Sequence, residues 1–140
     1  MSIETKHILV ALDDAGESKK GMEKAIYIAK LSGAKITGVN VIVVTPTLAS
    51  TVTNYRDYLT KKAQEMLDST KKSCDEQGIQ FASKILDGSP ASKIAEFAEK
   101  EKVDLVIVGS RGLGGIKGAI LGSVANSLVH KSKVSVLVVK

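Results

Sequence analysis

Five short runs rich in β-branched residues, at 8–12, 36–44, 79–86, 105–108 and 134–139, are each separated from the next by a segment long enough for a helix. Most are apolar almost throughout instead of alternating, the pattern of strands covered on both faces. The separating segments carry a helical period. Met22, Ala25, Ile26 and Ala29 fall at i, i+3, i+4 and i+7, as do Ala91, Ile94, Ala95 and Ala98, and Leu121, Val124, Ala125 and Leu128. The second helical segment, around Leu59, Ala63, Met66 and Leu67, is the longest. Its apolar stripe runs on to Cys74, which reads as a small core residue and not as a reactive thiol. Gly33 stands where the first helix should end, and Ser89-Pro90 reads as an N-cap followed by proline at the first helical position. The predicted order is therefore β-α four times over and a closing β, and right-handed crossovers turn that into a three-layer open α/β sandwich around a five-stranded parallel sheet. Residues 44–53 form a polar connection longer than usual, read equally as a flap or as a solvated loop.

With 140 residues and 14.8 kDa, the chain is expected to form a single domain spanning 1–140. The longest apolar stretches are short, such as 103–108 with Asp104 inside, so no membrane span is expected. The run 8–12 ends at Asp13 without a small-residue cleavage site, so no signal peptide is expected either. One cysteine gives no internal disulfide, and together these features predict a cytoplasmic protein. The net charge of +5 would attract anions. However, Lys61, Lys62, Lys71 and Lys72 share a helical pattern with Glu65 and Asp68 at four-residue spacing, a solvated, salt-bridged face. No aromatic residue interleaves with a basic run, so no nucleic-acid partner is expected.

Six of the 12 glycines fall within 109–122: Gly109, Gly112, Gly114, Gly115, Gly118 and Gly122. Gly109 closes the fourth strand, and Gly122 with Ser123 begins the last helix, which puts the stretch at the carboxyl edge of the sheet, where open α/β folds bind ligands. Glycines admit a ligand close to the backbone, and the first peptide N–H groups of the helix, at Ser123 and Val124, make an anion site. Ser123 would either donate its hydroxyl to a phosphate or cap the helix. No Walker loop is present, and a dinucleotide fingerprint begun at Gly112 and Gly114 meets Lys117 where its third glycine belongs.

What the stretch does contain is Gly109-x2-Gly112-x9-Gly122-Ser123, which resembles the nucleotide-binding signature of the universal stress protein family, ATP-binding branch. The segments 87–91, 103–112, 121–126 and 136–139 are similar to that family, as is the opening 7–13, so the resemblance covers the whole chain. It implies an adenine nucleotide alpha hydrolase-like fold with strand order 3-2-1-4-5. It also implies that Asp13 contacts the ribose hydroxyls and that the backbone around Val41 pairs with adenine. Ala11 and Val108 would line the base and sugar pocket, Gly109 and Gly112 would admit the phosphates, and Gly122, Ser123 and Val124 would hold them. The ligand would be ATP or AMP, with Mg²⁺ or Mn²⁺ bridging the phosphates. In two places the chain departs from the family pattern: Asp14 and Ala15 follow Asp13 where glycine and serine are common, and Lys133 and Ser135 replace prolines near the last strand. Arg111 and Lys117 would either neutralise phosphate or stay solvated.

The strand order has independent support, because in 3-2-1-4-5 the loops after Asp13 and Gly109 face each other across the switch point. The flavodoxin-like order would use the shorter 87–89 loop. The catalytic inventory is thin: His7 precedes the first strand, His130 sits near a helix C-terminus as a dipole-compensating residue, and no nucleophile elbow or metal spacing occurs. Three functions stay open: a nucleotide-dependent stress-response or signalling module, a slow ATPase or phosphotransferase using the same site, and a structural dimer that binds nothing. The fifth strand is expected at a sheet edge, apolar and without proline, which predicts a homodimer pairing two such edges about a two-fold axis. The competing reading is an edge shielded by the chain's own helices.

Overall fold

The computed structural model describes residues 4–13, 16–43, 55–110 and 122–140. Its elements are β1 (His7–Ala11), α1 (Gly16–Ser32), β2 (Lys35–Ile42), α2 (Tyr55–Glu76) and β3 (Phe81–Asp87), followed by α3 (Pro90–Lys100), β4 (Leu105–Gly109), α4 (Ser123–Lys131) and β5 (Ser135–Val139). The strands form one sheet in the order β3-β2-β1-β4-β5, every neighbouring pair parallel. This is the order expected, and the sequence runs locate the strands to within two residues.

Burial follows position in the sheet. The three middle residues of β1, Ile8, Leu9 and Val10, and of β4, Val106, Ile107 and Val108, are buried on both faces. Edge strands differ: β3 exposes Ala82, Ser83 and Lys84, and β5 is only half-buried along Val136–Val139. One face of the sheet presents Ile8, Val10, Ile36 and Ile107 to Met22, Ala25 and Ala29 of α1 and to Leu67 and Cys74 of α2. The other presents Leu9, Val39, Val106 and Val108 to Ala91, Ile94 and Ala98 of α3 and to Ala125 and Leu128 of α4. Alternate residues along each strand serve opposite layers, as the pleat requires. Cys74 is fully buried among these residues, and burial pushes its thiol pKa up.

Helix ends account for most of the punctuation. Gly33 closes α1 with φ +77° and donates its N–H to the Ala29 carbonyl at 2.8 Å. α2 ends in the same manner at Gly78, φ +73°, and Ile79 donates back to Cys74 at 2.9 Å. That turn takes up the first residues of the run read as starting at 79, so β3 begins only at Phe81. Ser89 and Pro90 stand at the N-cap and first turn of α3 as expected, but the Ser89 hydroxyl makes no capping hydrogen bond.

Gly38, in the middle of β2, is fixed by close approach. A Cβ there would lie 2.6 Å from Phe81 Cζ and 2.9 Å from Leu12 Cδ1. Gly38→Ala should therefore lower the unfolding free energy by about 1–3 kcal/mol through overpacking. Adding Phe81→Leu should recover part of the loss. Urea unfolding of the three proteins checks this, and an unchanged midpoint for Gly38→Ala would contradict the packing described.

Candidate functional site

At the carboxyl edge the crossovers depart in opposite senses: those after β1 and β2 cover one face of the sheet and those after β3 and β4 cover the other. The crevice between the ends of β1 and β4 is the topological switch point.

On its β1 side polar contacts to β2 and α1 hold the chain. Leu12 donates its N–H to the Val39 carbonyl at 2.8 Å, and the Asn40 side-chain amide donates to the Leu12 carbonyl at 2.8 Å. Asp13 then donates its N–H to the Ser18 hydroxyl at 2.9 Å. Ser18 lies in the first turn of α1 and is only 4 % exposed. Bonds to β2 and α1 thus fix the backbone that carries the half-buried Asp13.

On the β4 side, Ser110 follows Gly109 and is 2 % exposed. Its N–H donates to the Val139 carbonyl at 2.8 Å, and its carbonyl accepts from the Gly122 N–H at 2.5 Å. Gly122 is the N-cap of α4, in extended conformation with φ −69° and ψ 166°. Glycine has no side chain with which to cap the helix, so the first-turn N–H groups from Ser123 onward keep their donor capacity and the positive end of the helix dipole. Ser123 is the first helical residue and is exposed, which removes its expected alternative as the capping residue.

The structure gathers four of the nominated residues in one apolar cluster. Ala11, Val41 and Val124 pack from the rim against the core that contains Val108. Register explains this: Ala11 pairs with Val39 of β2, and Val10 with Ile107 of β4, so Ala11 lies between the two strands' carboxyl ends and Val41 two residues farther out. Asp13, Gly109, Gly122 and Ser123 flank that cluster in sequence. Gly112 lies outside the described residues, as do Asp14, Ala15, Arg111, Lys117 and the connection 44–53. A separate open depression of about 390 Å³ adjoins the ends of β2 and β3, lined by Ile42, Val43, Gly88, Ser89 and Pro90 with an Arg56–Asp87 ion pair on its wall.

Ser18, Asn40 and Ser110 are the contributors that sequence reading passed over. Ser18 occupies the core stripe of α1, four residues before Met22, and Asn40 interrupts an apolar strand. A polar residue on a core-facing position is the signal that marks both.

The chain's surplus charge lies in the segment that builds the β4 side. Arg111, Lys117, Lys131, Lys133 and Lys140 fall within 105–140, which contains no Asp or Glu, so the net +5 of the protein is carried there. Helices run antiparallel to the strands, so His130 and Lys131 in the last turn of α4 lie toward the opposite, amino edge. His7, the first residue of β1, is there too, with Nε2 2.7 Å from the Thr37 hydroxyl. Neither histidine reaches the crevice. Among the described residues no group of three His, Cys, Asp or Glu side chains forms a metal site, and no helix is long and apolar enough to cross a membrane.

The fold and its crevice define a doubly wound α/β domain with a carboxyl-edge site at the switch point. Residues 4–140 match the model of the universal stress protein family, and the chain belongs to that family. A universal stress protein of Methanocaldococcus jannaschii is 34% identical over 139 residues, covering 96% of this chain and 82% of that one. The universal stress protein UspA from Lactobacillus plantarum superposes with a TM-score of 0.89 at 20% identity, covering 98% and 99% of the two chains. A universal stress protein in complex with cAMP superposes with a TM-score of 0.71 at 25% identity, covering 98% of each.

The amino edge makes a pH prediction. Burial, and then the Lys35 charge, lower the His7 pKa from its ordinary 6.5, outweighing Glu101 and Asp104, which raise it. A lowered histidine pKa means that the unfolded chain takes up protons first, so the contribution of His7 is complete above 6.5 and is lost as pH falls from there toward the folded value. Urea unfolding between about pH 5 and pH 8 should show this loss in wild type and a flatter profile in His7→Gln, whose amide still reaches Thr37. Parallel profiles would contradict it.

Proposed function

We propose that the β1–β4 crevice binds an adenine nucleotide, ATP or AMP, and that occupancy makes the protein a nucleotide-dependent stress-response or signalling module. The observation that carries this is that Ala11, Val41 and Val124 pack against the buried cluster that contains Val108, with Asp13 and the side-chain-uncapped start of α4 next to them in sequence. An adenine ring and ribose match such an apolar cluster, and a phosphate matches such a helix end. The cAMP complex of a relative that shares the fold supports the ligand class.

In this reading Asp13 accepts hydrogen bonds from the ribose hydroxyls, placed by Ser18 and by the contacts on Leu12. The exposed end of β2 around Val41 offers peptide groups to the adenine edge. Gly109, Gly112 and Gly122 let the phosphates close on the backbone, and Ser123 and Val124 hold them with peptide N–H groups and one hydroxyl, the N–H of Gly122 being taken by the Ser110 carbonyl. Arg111 and Lys117, in the glycine-rich stretch, add positive charge that favours anions. Mg²⁺ or Mn²⁺ would be held chiefly by the phosphates, since Asp13 is the one described carboxylate beside the crevice end of β1. Isothermal calorimetry should give measurable affinity for AMP and ATP in wild type. Gly122→Val and Asp13→Ala should each weaken it by about 1–3 kcal/mol as charge-assisted hydrogen bonds are lost. A Gly122→Val protein that binds as wild type does would refute the site.

The module is further proposed to be a homodimer through β5. Val139 turns its carbonyl to β4, where Ser110 donates to it, so in a parallel ladder the peptide groups of Val136 and Val138 face the free edge. Val138→Pro therefore removes an edge donor without breaking the β4 ladder. Sedimentation should find wild type dimeric at micromolar concentration and Val138→Pro shifted toward monomer. A monomeric wild type, or an unshifted variant, would exclude this interface.

A further inference from the structure

The peptide groups around Ser110 link two parts of the protein that are far apart in sequence. The N–H of Ser110 extends the β4–β5 ladder one step beyond the Gly109–Val139 pair, at 2.8 Å from the Val139 carbonyl. The carbonyl of the same residue accepts the Gly122 N–H at 2.5 Å. The N-cap of α4 is thus tied through one residue to the last residue of the edge strand.

Three features make this link more than a loop closure. Ser110 is 2 % exposed, so breaking either bond leaves a peptide group without water to replace its partner. β5 is half-buried and has a neighbouring strand on one side only, so its end is among the less firmly held parts of the sheet. Gly122 has no side chain, so Ser110 bonds the backbone that positions the helix start.

We propose that Ser110 is a positioning residue that couples the α4 anion site to β5: Gly122 is held in its N-cap place only while Val139 holds Ser110. The proposal rests on the nucleotide reading of the crevice and adds a coupling to it. By linkage, a nucleotide that fixes Gly122 also tightens the Ser110–Val139 bond, and whatever secures β5 raises nucleotide affinity by the same factor.

The test removes the acceptor from a distance. A variant lacking Val139 and Lys140 loses the carbonyl that holds Ser110, whereas one lacking Lys140 alone keeps it. Amide hydrogen exchange without ligand should accelerate about tenfold or more at Gly122 in the shorter variant and stay within about twofold of wild type in the other. AMP affinity by calorimetry should fall in the same pattern. In wild type, AMP should slow exchange at Ser110 as well as at Gly122, a comparison that needs no variant and survives if the shorter chain unfolds. Unchanged exchange at Gly122 on loss of Val139, or AMP protection at Gly122 without protection at Ser110, would overturn the coupling. Absence of AMP binding in wild type would instead overturn the nucleotide reading, and the ligand-free exchange still decides whether Val139 positions Gly122.

Discussion

The burial of β1 and β4 on both faces is the constraint on which the rest depends. Ile8, Leu9 and Val10 and their β4 neighbours Val106, Ile107 and Val108 can be kept from water only if helices cover both sides of the sheet. Right-handed crossovers meet that need as follows: the chain steps outward from β1 through α1 and α2 to β3, returns through α3 to β4, and steps outward again through α4 to β5. Because the two halves leave the centre in opposite directions, the carboxyl ends of β1 and β4 form the topological switch point. The crevice is a consequence of packing the core.

The apolar part of the proposed site is accordingly continuous with the core. Val108 belongs to the buried cluster itself, and Ala11, Val41 and Val124 pack against it from the rim. The polar part is held differently, by peptide groups and by small polar side chains set among apolar ones. Ser18 and Asn40 fix the turn that carries Asp13, and Ser110 fixes the start of α4. Each of these bonds lies in partly or fully buried surroundings, where an unmade hydrogen bond costs more than a made one contributes. That asymmetry fixes Asp13 and the α4 N-terminus without a ligand, so the proposed binding would have less ordering to offset.

Much of this is legible in the sequence, for identifiable physical reasons. Long apolar β-branched runs have few alternatives to a doubly covered strand, and glycine at 33 and proline at 90 leave the helix limits little freedom. The strand order is implied by the resemblance to the universal stress protein family, with the glycine-rich loop after β4 as an added hint. What escaped notice depends on contacts between distant residues. Nothing local shows that Ser18 meets Asp13, that Asn40 reaches across to Leu12, or that Ser110 joins Val139 to Gly122. Local rules also overreached. Ser89 and Ser123 stand where expected, at the N-cap of α3 and the start of α4, but the side-chain capping read for such serines is made by neither, Gly122 holding the cap position of α4. The close approach of Phe81 to Gly38 is likewise a matter of register that no single strand reveals.

The central claim is that the switch-point crevice, and not the depression between Arg56 and Pro90, receives an adenine nucleotide. Amide chemical-shift mapping of the isotopically labelled protein during titration with AMP tests it most directly. The account predicts the largest perturbations along Ala11–Asp13, at Val41, at Val108–Ser110 and at Gly122–Val124, with β3 and the amino edge unaffected. Perturbations centred on Arg56, Asp87 and Ser89, or none at saturating AMP, would contradict it.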